Sequence, residues 1–354
     1  MALLSDRVAE KNRRWIVLPS LLKKAAQTLA SISVTMLGLL LVTFFIGRAM
    51  PLDPVLSIVG DRASKEVYED AKRELGLDHP LPIQFFHFLK NVAQGNFGQS
   101  LVTNEPVLED IKRVFPATLE LATLATFFGV TIGVPLGVFA AMRRRTWIDH
   151  IARVVALIGY SMPIFYLGLI GLIVFYFKLD WVGGPGRLDI YYEDIIPQVT
   201  GIILIDSLIA GDITIFQNAV SHIILPASIL GYYSLAYISR MTRSFMLEQL
   251  NQEYIVTARV KGLSESAVVW HHAFANIKIQ LLTVIALSYA GLLEGSVLTE
   301  TIFEWNGLGF YITKALFSAD MNAVLGGTVV VGLVFICLNI FSDLLYKILD
   351  RRTR

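Results

Sequence analysis

Cysteine and charged residues are what this sequence has least of. It holds one cysteine, Cys337, in 354 residues, so no disulfide can form within the chain. Only 17% of the residues are charged and the net charge is +1, which excludes strong electrostatic attraction to nucleic acid. Neither the phosphate loop G-x-x-x-x-G-K-[ST] nor the zinc motif H-E-x-x-H occurs, and the adjacent His271 and His272 point apart on a helix. The sequence therefore predicts no catalytic residue and no metal site.

Long apolar runs are what the sequence has in excess. Hydrophobic residues make up 55% of the chain and the mean hydropathy is +0.60. A helix needs roughly 20 apolar residues to cross a bilayer core of about 30 Å. We therefore predict an all-α polytopic membrane protein with six transmembrane helices, at 25–47, 121–142, 154–177, 221–239, 279–299 and 321–342.

Charge is distributed unevenly among the segments that join these spans. The tail 1–24, the loops 143–153 and 240–278 and the tail 343–354 together hold 19 of the 30 Lys and Arg residues and 8 acidic residues. The segments 48–120, 178–220 and 299–320 hold 11 basic and 20 acidic residues. Cytoplasmic loops of membrane proteins are enriched in Lys and Arg. The first group is thus predicted to be cytoplasmic, with both termini, and the second group external.

The external region 48–120 is predicted to be ordered. Ser64 is placed to cap a helix that Gly76 ends. Phe85 and Phe88 recur at helical spacing in a second, amphipathic helix before Gly95. That helix could lie on the membrane surface or over a pore mouth, or it could simply pack between spans.

The cytoplasmic loop 240–278 carries the clearest local pattern. One helical face is predicted for Leu247, Leu250, Tyr254 and Ala258, and a second for Ala267, Trp270, Ala273, Phe274 and Ile277. Between them, Gly262 can supply a left-handed turn and Ser264 can cap the second helix. Such an elbow, joined to two spans, suits mechanical coupling to a partner. A simple cytoplasmic connector is the alternative.

The sequence from Thr257 to Ser264, TARVKGLS, resembles the coupling-loop signature of ABC importer permeases of the dipeptide, oligopeptide and nickel class. Further motifs resemble the same family in order along nearly the whole chain: Met50–Pro54, Leu75–Pro82, Gly95–Ser100, Pro116–Thr118, Val199–Ser207, Glu300–Phe303 and Gly307–Gly309. Val256 stands where most ABC importers have a glutamate, so an ion pair that depends on that glutamate is not expected here.

The resemblance implies a type I ABC importer permease fold, with a permease domain at about 115–347, in a bacterial inner membrane. The implied partners are a second homologous permease, two cytoplasmic ATP-binding subunits that carry ATP and Mg²⁺, and an external substrate-binding protein. The chain itself would be non-catalytic and bind no cofactor. The implied cargo is di- or oligopeptides, with nickel complexes, haem, opines and oligosaccharides as alternatives. The residues implied to contact an ATPase are Tyr254, Thr257, Ala258, Arg259, Lys261, Gly262, Leu263 and Ser264.

Four residues are candidates for the translocation pathway. Glu294 places a carboxylate inside the predicted span 279–299, where an unpaired charge costs about 2.5–3.5 kcal/mol. Ser161 and Pro163 lie where a helix can kink, and Asn322 is polar at an apolar position. The alternatives are a structural hydrogen bond or a protonated, buried carboxyl for Glu294 and a hydrogen bond between helices for Asn322. For Ser161 and Pro163 the alternative is an ordinary proline kink, which is common in membrane spans. An intramembrane carboxylate also fits an ion-coupled secondary transporter, which would work without ATPase partners.

Overall fold

The computed structural model describes residues 30–45, 54–60, 62–74 and 76–349, and its regular elements there are helices. A single isolated β-bridge joins Gln99 and Pro106. The helices are α1 Ala30–Phe45, α2 Pro54–Val59, α3 Lys65–Glu74, α4 Leu81–Ala93, α5 Val107–Met142, α6 Trp147–Ser161, α7 Ile164–Gly171, α8 Ile203–Ala210, α9 Ile213–Leu250, α10 Glu253–Val260, α11 Glu265–Ala267, α12 Phe274–Gly295, α13 Val297–Ile302, α14 Leu308–Phe317 and α15 Met321–Leu349. π-Helical turns extend α7 over Leu172–Lys178 and join α11 to α12 over Val268–Ala273.

Within the described residues, four helical stretches are long and apolar enough to cross a membrane: Val107–Met142, Ile213–Leu250, Glu265–Gly295 and Met321–Ser342. The pair α6 and α7 makes a fifth if its two bent arms form one span. α1 covers the described part of the predicted span 25–47, whose remaining residues lie outside the described ranges. An all-α polytopic architecture follows, while the count of six spans stays a prediction.

The helices reach well beyond several predicted spans. α5 begins at Val107, so the end of the predicted external region 48–120 is helix continuous with the span 121–142. α9 covers 213–250 instead of 221–239 and also forms the start of the loop 240–278. A helix of 38 residues is about 57 Å long, which exceeds the hydrocarbon core, so both ends of α9 project from it. The charged residues of α5 and of the C-terminal end of α9 lie outside the predicted spans, in the parts of these helices that extend beyond the apolar runs.

The predicted span 154–177 is not one continuous helix. α6 ends at Ser161, Met162 has an extended backbone with φ −90° and ψ 133°, and α7 begins after Pro163. The two arms are bent by 95°. Proline has no N–H to continue a helix and disfavours helical geometry in the residue before it, which accounts for the break at this point.

Close contact between α5 and α9 forms the centre of the fold. Gly129, Gly133 and Gly137 lie on one face of α5, four residues apart, against α9. A Cβ added to Gly133 would lie 3.1 Å from the Leu235 carbonyl oxygen, and one added to Gly137 would lie 2.6 Å from that of Ser239. Small residues at this spacing let the backbones of membrane helices approach closely.

The two helices predicted within residues 48–120 are confirmed. α3 begins at Lys65, with the Ser64 hydroxyl accepting the Val67 N–H at 3.4 Å. α4 packs on α1, since the rings of Phe85 and Phe88 lie 5.3 and 5.8 Å from that of Phe44.

Candidate coupling elbow and two cavities

The turn predicted in the loop 240–278 is formed by Gly262. α10 ends at Val260, and Gly262 then adopts a φ of +80°. Its N–H donates to the Arg259 carbonyl at 2.9 Å, and the Leu263 N–H donates to the Ala258 carbonyl at 3.3 Å. These bonds close a helix end on a left-handed residue, a conformation that glycine adopts without steric cost. The prediction of a left-handed turn at Gly262 is confirmed.

The second arm of the elbow starts at the predicted cap. The Ser264 hydroxyl accepts a hydrogen bond from the Ala267 N–H at 3.3 Å. Across the turn, Arg259 donates from Nε to one oxygen of Glu265 at 2.7 Å and from Nη2 to the other at 3.2 Å. A two-point ion pair of this kind fixes orientation as well as distance. We use the term elbow for residues 253–273.

The first arm is shorter than the pattern predicts. Leu247 and Leu250 belong to α9, whereas Tyr254 and Ala258 belong to α10, and the two helices are separated at Asn251–Gln252. The Asn251 amide donates to the Leu247 carbonyl at 2.8 Å and so competes with the backbone N–H that would continue α9. The second arm, by contrast, is continuous with the span that follows, because Glu265–Gly295 forms one helical stretch.

A buried apolar core attaches the elbow to the spans. Its members come from α5, α9, both arms and the start of α12: Val138, Ala141, Met246, Ile255, Ala258, Val268, Val269, Ala273 and Ile277. Close-packed side chains transmit displacement because they leave little free volume. A force on the elbow therefore reaches α5 and α9 directly, besides the span to which the second arm is joined.

The residues implied to contact an ATPase lie mostly on the surface. Ala258 is buried in the core of the elbow, and the other seven are exposed: Tyr254, Thr257, Arg259, Lys261, Gly262, Leu263 and Ser264. Val256 and Val260, one helical turn apart on α10, are 55% and 83% exposed, and Leu263 at the turn is 41% exposed. Apolar side chains grouped at a protruding turn are typical of a protein contact surface.

An ion-pair network lies at the same end of α5 and α9 as the elbow. Asp149, whose side chain is 1% exposed, accepts from Nε of Arg243 at 2.7 Å and from Nη2 at 3.0 Å. It also accepts the Arg145 N–H at 3.0 Å, and Arg153 lies 3.7 Å away. This network ties α6 to α9. Sequence reasoning missed it, although Asp149 is the single acidic residue in the loop 143–153.

The four pathway candidates do not come together. Ser161 lines a cavity of about 250 Å³ between α5, α6 and α9, beside Arg153 and Arg243. Glu294 is exposed and lines a different crevice of about 20 Å³. Pro163 marks the break between α6 and α7. The Asn322 amide donates to the Gln99 carbonyl at 2.9 Å and holds the loop that precedes α5. A pathway role for these residues remains a prediction.

Of the two carboxylates Glu294 and Glu300, Glu300 is the buried one. It is 0% exposed and accepts hydrogen bonds from Thr118 Oγ1 at 2.9 Å, Ser296 Oγ at 2.8 Å and the Phe310 N–H at 3.0 Å. Burial raises the pKa of the Glu300 carboxyl, and these hydrogen bonds offset part of that rise. The sequence signal that could have identified it is the family motif Glu300–Phe303.

A second network joins the segments that are predicted to be external. Glu120 on α5 accepts from Nη2 of Arg187 at 2.7 Å and from the Leu204 N–H at 3.0 Å. Arg187 also donates to the Gly201 carbonyl at 2.9 Å, and its guanidinium lies 5.5 Å from the ring centroid of Trp305. Parts of 48–120, 178–220 and 299–320 thus meet at one end of the molecule.

Asp110 and Asp320 fix the loop that precedes α5. Asp320 accepts from the Ser100 hydroxyl at 2.6 Å. Asp110 accepts from the hydroxyl of Thr103 in that loop at 2.6 Å and from the Tyr311 hydroxyl at 3.2 Å, and it forms an ion pair with Arg113. Burial, followed by the negative charge of Asp110, raises the pKa of Tyr311.

Two adjoining cavities open among these segments. We name the first, of about 190 Å³, the lysine cavity, because Lys314 lines it together with Arg113, Asn306 and Tyr311. We name the second, of about 380 Å³, the acidic cavity. Its charged lining residues are Arg113, Arg187, Glu193, Asp194, Asp206 and Glu304. Arg113 and Asn306 line both cavities.

Comparison with known proteins identifies the family. The family model of the binding-protein-dependent transport system inner membrane component matches residues 133–354, and that of the N-terminal part of such membrane components matches residues 21–122. The di/tripeptide transport system permease protein DppB of Pseudomonas aeruginosa (strain UCBPP-PA14) is 44% identical over 93% of this chain and 98% of its own length. The dipeptide transport system permease protein DppB of Escherichia coli (strain K12) is 42% identical over 90% of this chain and 95% of its own length. The probable D,D-dipeptide transport system permease protein DdpB of the same strain is 41% identical over 89% of this chain and 92% of its own length.

Among solved structures, an inward-facing conformation of the MetNI methionine ABC transporter matches with a TM-score of 0.48 and 18% identity, over 66% of this chain and 94% of that chain. The family models and the sequence relatives, which extend over most of the chain, lead to one conclusion. This chain belongs to the family of inner membrane components of binding-protein-dependent transport systems, the permease subunits of ABC importers.

Proposed function

We propose that this chain is one of two homologous permease subunits that together form the pathway of an ATP-driven peptide importer. The names of the three relatives support peptides as cargo, since each is named for a dipeptide or a di/tripeptide transport system. Nickel complexes, haem, opines and oligosaccharides are alternative cargoes. We expect an external binding protein to deliver the cargo and set its selectivity.

The observation that carries the proposal is the geometry of the elbow. A rigid turn at Gly262, tied by the Arg259–Glu265 ion pair, presents exposed apolar side chains and shares a buried core with two long helices. We infer that the transporter has two cytoplasmic ATPase subunits, one for each permease, and that one of them moves this elbow. ATP and Mg²⁺ would then bind to those subunits, and this chain would perform no chemical step and need no cofactor.

Orientation is part of the proposal. We propose that the elbow faces the cytoplasm with both termini, in a bacterial inner membrane, and that the two named cavities face outward. The distribution of charge supports this orientation. The basic segments 143–153 and 240–278 lie at the same end of α5 and α9, and cytoplasmic loops of membrane proteins are enriched in Lys and Arg. The ion-coupled secondary transporter is not favoured by the family assignment, and it predicts uptake without ATPase subunits.

The experiment exploits the exposed tip of the elbow. Val260→Asp should fold normally because the side chain is 83% exposed, yet it places a charge at the proposed ATPase contact. We expect it to reduce co-purification of the ATPase subunits and peptide uptake in parallel. Ile190→Asp is the matched control, because Ile190 is a β-branched residue that is 85% exposed on a segment predicted to be external. Full ATPase recovery and uptake with Val260→Asp would refute the proposal.

A further inference from the structure

The hydroxyl of Tyr254 lies at the point where α9, α10 and α12 meet. It accepts a hydrogen bond from the side-chain amide of Asn276 at 2.9 Å and donates to the side-chain oxygen of Gln249 at 2.9 Å. We propose that Asn276 is a positioning residue for transport. Through the Tyr254 hydroxyl it holds the first arm of the elbow at a fixed angle to α12, so that movement of the elbow becomes movement of this span. The inference rests on the proposed function, in which an ATPase subunit moves the elbow.

The first arm needs such a tie because it is not continuous with a membrane span. α10 is a helix of 8 residues, Glu253–Val260, and it is separated from α9 at Asn251–Gln252. A helix this short is marginal in isolation, so contacts with the rest of the protein hold it in place. The second arm, by contrast, runs on into α12. A displacement received by the first arm therefore reaches α12 through the turn at Gly262, the buried core of the elbow and side-chain bonds.

Side-chain bonds tie α10 to the second arm and to α12 at two separate places. Arg259, near the C-terminal end of α10, forms the two-point ion pair with Glu265. Tyr254, the second residue of α10, is bonded to Asn276 of α12. The two anchors are five residues apart, which is about 7.5 Å along a helix. Apolar packing is non-directional and leaves the angle of α10 less defined, whereas two separated polar anchors fix it. Loss of the Asn276 bond therefore leaves α10 a pivot at its tip.

The residue type at position 276 suits this role. An amide NH2 group has two donors, and Asn276 uses both, since it also donates to the His272 carbonyl at 3.0 Å. That carbonyl belongs to the π-helical turn Val268–Ala273, which joins the second arm to α12. π-Helical turns are frequent at functional sites. One side chain thus fixes both the first arm and the turn through which the second arm enters the span. A serine has one donor and an ionised aspartate has none, so neither can make both bonds.

The bond enters α12 at the level where that helix contacts α5 and α9. Asn276 is exposed, whereas the next residue, Ile277, is 0% exposed and belongs to the core that includes Val138 of α5 and Met246 of α9. A change in the angle of α12 at Asn276 is therefore passed to both of these helices, because close-packed side chains leave little free volume. Replacing Asn276 removes no buried side chain, so its variants should retain the fold.

The test uses the complete transporter, with its ATPase subunits and binding protein, in proteoliposomes. Uptake of radiolabelled dialanine and hydrolysis of ATP are measured on the same sample, which gives the number of dipeptides imported per ATP hydrolysed. With Asn276→Ala, we expect this ratio to fall while ATP hydrolysis and the recovery of the ATPase subunits are retained. Asn276→Asp should lower the ratio further, because an ionised carboxylate would face the His272 carbonyl without a donor between them.

Further measurements show whether Asn276 acts through Tyr254. Hydrogen exchange of the α10 amides should be about two- to fivefold faster in Asn276→Ala, the factor that corresponds to a bond of about 0.5–1 kcal/mol. In a Tyr254→Phe background, Asn276→Ala should add little to either effect, because the hydroxyl is already absent. Gln84→Ala is the matched control. The Gln84 amide also makes two hydrogen bonds, to the carbonyls of Leu77 at 3.2 Å and His79 at 2.7 Å, but it lies outside the elbow, so both readouts should stay unchanged.

Four results would overturn the inference. An unchanged ratio with Asn276→Ala would show that transport needs no such anchor, and unchanged exchange in α10 would show that the bond does not hold the first arm. A loss of the same size in the Tyr254→Phe background would mean that Asn276 acts without Tyr254. Fewer ATPase subunits recovered with Asn276→Ala would make Asn276 a contact residue instead.

The proposed function fails on different results. Full ATPase recovery and uptake with Val260→Asp would refute the ATPase contact, and an unmodified transporter that imports no dipeptide would refute the cargo. In either case the exchange measurement, which needs neither cargo nor ATP, still decides whether Asn276 holds the first arm.

Discussion

Replacing Gly262 by alanine tests whether the elbow is held by its left-handed turn. A Cβ at this position would meet no atom within 4 Å, so no clash is created. The cost arises from the backbone alone, because φ is +80° and an L-residue in this region is disfavoured by about 1–2 kcal/mol. Gly262→Ala should therefore destabilise the turn by that amount while leaving the buried core of the elbow intact.

Hydrogen exchange measures this change directly. The Leu263 N–H is protected by its bond to the Ala258 carbonyl, which the turn closes. If the turn opens locally, a cost of about 1–2 kcal/mol corresponds to exchange that is about 5- to 30-fold faster, because 1.4 kcal/mol is a factor of ten. Amides on α5 should keep their exchange rates, since they lie outside the turn.

Two variants serve as controls. Gly291→Ala makes the same substitution in α12, where a Cβ also meets nothing within 4 Å and the backbone is helical, so it should stabilise by about 0.5–1 kcal/mol. Gly262→Asn should fall between glycine and alanine, because asparagine tolerates the left-handed region. Unchanged exchange in Gly262→Ala, or a larger effect of asparagine than of alanine, would refute the reasoning.

Three further predictions concern stability of the purified complex, measured by thermal unfolding. Asp149→Asn should lower the free energy of unfolding by about 2–3 kcal/mol, because it leaves the partly solvated Arg243 without its charge partner. Glu109→Gln removes the exposed ion pair with Lys112 and should lower it by less than about 0.5 kcal/mol. Glu300→Ala should cost more than Glu300→Gln, because alanine leaves three donors without an acceptor. Ser264→Ala should cost about 1 kcal/mol by loss of the cap, and Ser264→Asp should restore it. Equal midpoints within any of these pairs would contradict the corresponding contact.

The elbow could be predicted because its signals are local. A glycine after an apolar periodic segment, followed by a serine, specifies a left-handed turn and a cap within a few residues. The break between α9 and α10 was not predicted, because the apolar residues on either side of it keep a helical spacing. The break is associated with the side-chain amide of Asn251, which donates to the Leu247 carbonyl, and apolar spacing does not reveal such a bond. The C-terminal extension of α9 was not predicted as part of the span because Arg240, Arg243 and Glu248 follow the apolar run, although a helix that leaves the bilayer can carry such charges.

Apart from the family motif Glu300–Phe303, the local sequence pattern does not distinguish Glu294 from Glu300. Both lie near the end of the same apolar run, about 1.7 helical turns apart. Burial of Glu300 depends on Thr118 of α5 and on Phe310 of α14, which are distant in sequence. The two cavities likewise combine residues from three separate segments, and no local pattern predicts that they meet.

Site-specific photo-cross-linking tests the central claim most directly. A photoreactive amino acid at position 260, in the assembled transporter, should cross-link to an ATPase subunit, because Val260 is the most exposed apolar side chain of the elbow. The same group at position 190 should not. Cross-linking from position 260 to the external binding protein, or from neither position to an ATPase subunit, would contradict the account of the elbow as the point where ATP hydrolysis moves this permease.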